Sequence, residues 1–362
     1  MDKNRRVIVA LMLIVIFYTE KNMPVFTHHY LRDYLRDRLT ENDVDASIAE
    51  TVADNLVESS LKGHDSHGVS MLPRYIDAIR EGGLSPHALA EKTLDFGPLI
   101  SFDGQQGFGQ VVAKQALTEG IARAQAHGLA VVSLANAHHL GRIGAWAEQA
   151  AEVGLVSLHF ANVYTKPVVL PWQGQQARFG TNPFCAGIPV EHDDPVILDF
   201  ATSVIAGNKA RIAWNEGKSV APGCIVDNEG NPTVDPRWLM EQPLGALLPF
   251  GEHKGSGLSL VCSLLGAALT GGKTERTAKG EGKQIINSML SILIDPQKLG
   301  GAATYQQEIP ALLEWVRQSR DDNELLLPGD KEKQAYRHRR ENGIFVDDVS
   351  WGQLSYLNKK VA

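Results

Sequence analysis

Leu129-Ala130-Val131-Val132-Ser133-Leu134-Ala135-Asn136-Ala137-His138-His139-Leu140-Gly141-Arg142-Ile143-Gly144 is the stretch whose reading sets the fold class. Leu129 to Leu134 is a short apolar run bounded by polar residues, the pattern of a buried strand. It leads straight into a polar, glycine-containing loop, Asn136 to Gly144, and then into a helix over Ile143 to Glu152. The same alternation begins near residue 98 and continues along the chain. Leu155 to Phe160 reads as a strand, and Val196 to Leu198 as a short strand ending in Asp199. Lys254 to Leu269 reads as a long apolar helix stopped by Gly271-Gly272, and Met289 to Ile294 as a late strand. The fold class is therefore α/β (α+β).

Either side of this core the period changes to 3.6. Tyr30, Leu31, Tyr34 and Leu35 share one helical face. Thr40, with Asp43 three residues on, is expected to cap a second helix carrying Val44, Ile48, Val52 and Leu56, ended by Gly63. A third helix surrounds Tyr75, Ile76 and Ile79 and stops at Gly82-Gly83. After Pro296 the chain is helical and polar to its end. The expected organisation is a helical segment over 23–95, an α/β domain over 96–298, and a helical segment over 299–362 that packs on the first one.

Of 362 residues, 43% are hydrophobic and 21% charged, enough for a large core. The net charge of −7 gives no footprint for nucleic acid. The basic run Arg337-His338-Arg339-Arg340 reads as a solvated helix face. Cys185, Cys224 and Cys262 form no C-x-x-C pair, so neither a disulfide framework nor a zinc ribbon is supported, and the composition is that of a cytoplasmic enzyme. Lys3, Arg5 and Arg6 precede an apolar run from Val7 to Tyr18. Twelve residues span about 18 Å as a helix, short of a bilayer core of about 30 Å. The run resembles a signal segment without a cleavage site. The preferred reading is a start at Met23, with residues 1–22 an upstream extension and no membrane association for the Met23 form; a membrane-anchored form is the alternative.

Familiar motifs fail. No G-x-G-x-x-G joins a strand to a helix. Gly266 to Thr274 misses a phosphate-binding P-loop by one residue. His64 and His67 lack a third ligand for a metal, and no G-x-S-x-G elbow supports a hydrolase. Instead, polar residues gather in five short loops, where catalytic groups are usually displayed. These are Asp65-Ser66-His67-Gly68, Asn136 to Gly144, Arg178-Phe179-Gly180-Thr181-Asn182-Pro183, Asp199-Phe200-Ala201-Thr202-Ser203, and Pro249-Phe250-Gly251-Glu252-His253-Lys254-Gly255.

In this order the five loops resemble the malate/L-lactate dehydrogenase-like family, from about residue 25 to about residue 350. Gly-His-Asp-Ser-His-Gly, His-His-Leu-Gly-Arg-Ile-Gly and Glu-His-Lys-Gly are similar to its hydroxycarboxylate dehydrogenase B branch. The resemblance implies a non-Rossmann nicotinamide-binding domain with a mixed, largely antiparallel sheet, a homodimer, and reversible reduction of 2-oxo acids to 2-hydroxy acids. The cofactor expected from the close branch is NAD, with NADP open.

Reduction of a 2-oxo acid builds negative charge on the carbonyl oxygen, so a proton donor with pKa near working pH must stand beside it. The resemblance implies His67 for this role, with His139 the competitor; the other then orients the substrate. Asp199 is implied to contact the cofactor or fix a histidine tautomer, against a plain helix N-cap. Ile197, Leu198, Phe200 and Ala201 would line the same wall, and His67, Gly141, Arg142 and Ile143 would approach the cofactor. His253 and Lys254, at a helix start, suit an anion such as the pyrophosphate. Asn287 and the Gly329-Asp330-Lys331 loop match later cofactor positions. Ser66, Met71 and Arg142 are implied on the substrate side. Many family members carry an arginine where this chain has Met71. Arg142 is then the nearest substitute clamp for the substrate carboxylate, and the thioether suits bulky or aromatic substrates. The alternatives are a cyclic-imine reductase acting beside a carboxylate, a malate or lactate dehydrogenase, and a nicotinamide-binding module without catalysis.

Overall fold

The protein is described here from a computed structural model that covers residues 24–278, 282–320 and 325–357. The readings of residues 1–22, of the Val7–Tyr18 run and of the Met23 start lie outside the described residues. Among the described residues no helix is long and apolar enough to cross a membrane.

Strand β1 (Val25–Phe26) leads into helix α1 (His28–Glu41), whose first turn is capped by Thr27 accepting from the Tyr30 N–H at 3.2 Å. Leu31, Leu35 and Leu39, spaced by four, are fully buried; each contributes about 1.5–3 kcal/mol. Thr40 does not cap the second helix. It lies inside α1, its hydroxyl bonding back to the Arg36 and Asp37 carbonyls, and α2 (Ala46–Leu61) starts after Asp45. Helix α3 (Leu72–Arg80) completes this layer. Its core also takes Ile344, Val346 and Leu354 from the far end of the chain.

The main sheet runs β2 (Glu91–Phe96), β3 (Leu99–Asp103), β4 (Leu129–His138), β11 (Ile286–Ile294), β5 (Val156–Tyr164), β6 (Phe184–Val190), β7 (Asp193–Phe200). It starts at Glu91, ahead of the expected boundary at 96. Only β3 and β4 run parallel; every other neighbouring pair is antiparallel. This is a mixed sheet, unlike the parallel doubly wound sheet of a Rossmann fold. Helix α4 (Gly109–His127) packs Val112, Ala113, Ala116 and Leu117 on it, and α5 (Gly144–Ala151) packs Trp146 and Ala147.

Beyond β7 come α6 (Gly207–Asn215), β8 (Ile225–Val226), β9 (Pro232–Thr233), α7 (Arg237–Met240) and β10 (Ala246–Leu247), a small sheet in the order β10-β8-β9. Helix α8 (His253–Ser263) continues as a π-helical turn over Leu264–Ala268, and β11 (Ile286–Ile294) then enters the middle of the main sheet. Helix α9 (Ala302–Arg317) reaches β6 through Tyr305, which donates to the Pro189 carbonyl at 2.9 Å. Helix α10 (Asp330–Asn342), β12 (Ile344–Phe345) and α11 (Asp348–Tyr356) return to the first layer, where β12 pairs with β1. Within the basic run of α10, Arg339 is not merely a solvated charge. It grips both oxygens of Asp65 at 2.5 and 2.9 Å.

Candidate active site

Two features aim the histidine pair. Strand β4 does not end at Leu134 but runs to His138, broken by a bulge in which Ala135 and Asn136 face Ser288 alone. Asn136 sits at φ 54°, its amide N–H on the Ser288 hydroxyl at 3.2 Å. The bulge bends the strand and re-aims its end, where His138 is the last paired residue and His139 follows it. Gly109 lets this backbone come close, since a Cβ there would lie 2.3 Å from the His139 carbonyl oxygen. The second feature is the Asp65–His67 turn, hung between helices. Val69 N–H donates to the Ser60 hydroxyl at 3.1 Å, Asp65 is held by Arg339, and His64 meets Glu332 of α10 at 3.1 Å. Gly68 is obligatory there, because a Cβ would fall 2.0 Å from Ser60 Oγ.

His67 Nδ1 lies 3.2 Å from His139 Nε2, and the two rings stack at 9°. Behind them Tyr75 Oη is 2.6 Å from His139 Nδ1, and Gln110 Nε2 donates to the same phenol oxygen at 2.8 Å. With Gln110 N–H donating a hydrogen bond to the phenol oxygen, the Tyr75 O–H has His139 Nδ1 as its acceptor. His139 then carries its proton on Nε2 and donates it to His67 Nδ1. This leaves the remaining proton of a neutral His67 on Nε2. His67 lines the cavity, and burial together with His64, Arg142 and Lys209 lowers its pKa to about 4. Burial, His67, His138 and Arg74 put His139 well below the usual histidine value. Burial raises the Tyr75 phenol, which is protonated at rest.

The cavity is about 1510 Å³, above the roughly 300–1,000 Å³ of an ordinary small-ligand site. Ser66, Met71, His139, Gly141, Arg142, Ile143, Asp199, Phe200, Ala201 and Asn287 all border it. Asp199 is the last residue but one of β7, inside the strand rather than in a loop. Its Oδ2 accepts from the Gly144 N–H, at the start of α5, at 2.7 Å. It makes no hydrogen bond to either histidine, so it does not set their tautomer. Burial raises its pKa, against the pull of Arg142. Ile197 and Leu198 stand beside the cavity without bordering it, and Gly329, at φ 99°, abuts Ile197, whose N–H donates to the Pro328 carbonyl at 3.2 Å. Asp330 accepts from Leu327 N–H and pairs with Lys333. Asn287 holds the loop, accepting from Leu140 N–H at 2.9 Å and donating to the Asn162 carbonyl.

Two expectations do not match the geometry. Arg142 is fully buried and forked onto Glu148, at 3.0 and 2.5 Å, so its guanidinium is already engaged and cannot be the free carboxylate clamp. Burial opposes its charge, but Glu148 holds it protonated. His253 and Lys254 are exposed at the start of α8 and do not border the cavity; His253 packs on the Trp172 ring at 5.5 Å. The reading of sequence also passed over Tyr75, Gln110, Glu148, Arg74, Lys209 and Arg211. Tyr75 had a signal: a phenol on the apolar face of a helix needs a buried partner.

A family model described as malate/L-lactate dehydrogenase matches residues 26–355. The chain belongs to the malate/L-lactate dehydrogenase family. Among its relatives, hydroxycarboxylate dehydrogenase B of Escherichia coli is 45% identical over 307 residues, covering 84% of this chain and 85% of that protein. L-lactate dehydrogenase of Cupriavidus necator is 37% identical, covering 87% of this chain and 91% of its own. The solved structure of Δ1-piperideine-2-carboxylate reductase from Pseudomonas syringae pv. tomato is 30% identical, with a TM-score of 0.82 over 92% of this chain and 99% of that one. This dehydrogenase is accordingly an oxidoreductase acting on CH–OH groups, chemistry that calls for a nicotinamide cofactor.

Proposed function

We propose that the protein reduces 2-oxo acids to 2-hydroxy acids, reversibly, with His67 giving the proton to the carbonyl oxygen. The His67–His139–Tyr75 chain carries this reading, because its hydrogen bonds leave His67 as the member whose free N–H is not engaged inside the protein. His139 and Tyr75 orient it and, as its Nε2 proton leaves, pass their own protons along the chain to His67 Nδ1 and His139 Nδ1, so no imidazolate forms; solvent returns the Tyr75 proton. A bound reduced nicotinamide supplies the hydride. A cavity larger than one small acid needs, bordered by Gly141, Ile143, Asp199, Phe200 and Ala201, supports its place there. Gly141, at φ 74°, has only its α-hydrogens toward Asn55, leaving backbone room. Asp199, fixed on Gly144, offers its second oxygen to a carboxamide. Arg142 stiffens this wall from behind. Ile197, Leu198 and Gly329-Asp330-Lys331 form its outer edge. NAD is preferred over NADP on the likeness to hydroxycarboxylate dehydrogenase B.

Met71 on the cavity lining supports substrates with bulky or aromatic side chains. Phenylpyruvate, pyruvate and oxaloacetate, each with NADH and NADPH, test this: phenylpyruvate should give the highest kcat/KM, and a clear preference for oxaloacetate would contradict it. The likeness to the piperideine-carboxylate reductase structure favours a second reading, in which His67 protonates a ring nitrogen instead; a cyclic imine in the same panel separates the two. Free, buried cysteines support a reducing, cytoplasmic setting. Leu260, Leu264 and Leu269, exposed along one helical segment, support a face covered in a homodimer. Sedimentation of the wild type and of Leu264→Glu checks it: the variant should run as a monomer, and a wild-type monomer contradicts the assembly.

A further inference from the structure

Of the five arginines that border the cavity, only Arg142 is ion-paired to a carboxylate among the described residues. Of the other four, Arg74 and Arg211 share one wall, whereas Arg178 is engaged on Gln176 and Arg276 lies on the far loop before the described chain breaks at residue 279. Arg74 of α3 and Arg211 of α6 come from helices well apart in sequence and both border the cavity that holds Ser66, His67, Met71 and His139. Arg74 uses its Nε on the Lys283 carbonyl at 3.0 Å, which fixes the stem and leaves its two terminal nitrogens without a protein partner among the described residues. Arg211 makes no hydrogen bond or ion pair among the described residues, and its buried Nε has no partner. The one carboxylate that acts on it, Asp347, is not in ion-pair contact and instead caps α11 through the Ser350 N–H at 2.9 Å. Burial lowers the pKa of both guanidiniums, and Arg211 lowers that of Arg74 further. Like charges held together at a cavity wall, one with a buried orphan donor, are costly unless an anion joins them.

We propose that Arg74 and Arg211 form the subsite for the carboxylate of the 2-oxo acid, in place of Arg142. This rests on the reduction proposed above and names the groups that grip its substrate. Each guanidinium presents N–H donors to one carboxylate, which fixes the neighbouring carbonyl against His67. The anion also offsets the cations around His67, so a substrate without a carboxylate meets a site left electrostatically unbalanced.

The test titrates oxamate, a non-reacting carboxylate analogue of a 2-oxo acid, calorimetrically into the full chain with and without reduced cofactor. Arg74→Gln and Arg211→Gln should each weaken oxamate at least tenfold and leave the cofactor dissociation constant unchanged, with Arg211→Lys intermediate. In turnover, both glutamine variants should raise KM far more than they lower kcat, and should lose the wild type's preference for a 2-oxo acid over its methyl ester. Unchanged oxamate affinity in Arg211→Gln overturns the proposal, as does a parallel loss of cofactor affinity, which would assign the pair to cofactor phosphates. A wild type that binds oxamate through both arginines yet reduces no 2-oxo acid sinks the reduction and leaves the subsite standing.

Discussion

At the scale of single residues the site is a line of neutral donors, and its order fixes each role. Tyr75→Phe removes the proton donated to His139 Nδ1, frees that ring to adopt the other tautomer, and loosens the orientation of His67. A lost buried hydrogen bond is worth about 1–3 kcal/mol, so kcat should fall roughly 5–100-fold while cofactor affinity holds; steady-state kinetics with fluorescence titration of the cofactor checks both. A variant with wild-type kcat contradicts the relay. Glu148→Gln acts differently. It leaves Arg142 buried against a neutral partner, and breaking such a pair costs about 3–5 kcal/mol. Denaturant unfolding should show a loss of that order, and a loss under about 1 kcal/mol would mean the pair is not a main prop. His67, His139 and Asp199 were legible because loop histidines and a strand-end aspartate stand out in a sequence. Arg74 and Arg211 were not: each sits among ordinary helical residues, and only the folded chain brings both to the border of one cavity.

At the scale of elements, the loop that bears His67 is positioned by helices distant in sequence. Arg339 of α10 holds Asp65, and Glu332 of the same helix holds His64. Arg339→Leu should leave the sheet intact but loosen the Asp65–His67 turn. We expect kcat/KM to fall about tenfold or more, with faster amide exchange confined to residues 60–70; unchanged exchange there would contradict the tether. Periodicity showed α1, α2 and α3 and the apolar strands, because their buried positions repeat at four or two. It misplaced the start of α2, since Thr40 has cap chemistry yet bonds backwards within α1. It missed β8, β9 and β10, as two-residue strands carry no period. The bulge at Asn136 was hidden for another reason: it exists only against Ser288, 152 residues away.

At the scale of the whole molecule, four histidines are held neutral by burial. The pKa is about 4 for His67 and about 3 for His138 and His159, with His139 also well below 6.5. The unfolded chain binds their protons first, near pH 6.5, so the folded state loses stability as pH falls through the window from 6.5 to about 3. Each group contributes about 1.4 kcal/mol per pH unit inside its own window. Asp199 and Asp54, raised by burial, and His87, raised by its bond to Asp45, work in the opposite direction, but Asp54 and His87 are not deeply buried and the four histidines are. Denaturant midpoints measured from pH 7.5 to 4 should therefore drop steeply below 6.5; a flat profile would contradict the buried neutral cluster. The mixed sheet was expected only through resemblance, since no local pattern tells which strands are neighbours, and β11 joins β4 to β5 across more than a hundred residues.

The central claim, that His67 supplies the proton in 2-oxo acid reduction, is tested most directly by oxidation of reduced nicotinamide with a 2-oxo acid in wild type, His67→Ala and His139→Ala. The wild type should turn over. His67→Ala should lose about 10²–10⁴-fold in kcat/KM while still binding cofactor and oxamate, and His139→Ala should lose less. Turnover undiminished in His67→Ala, or lost more deeply in His139→Ala, would contradict the account.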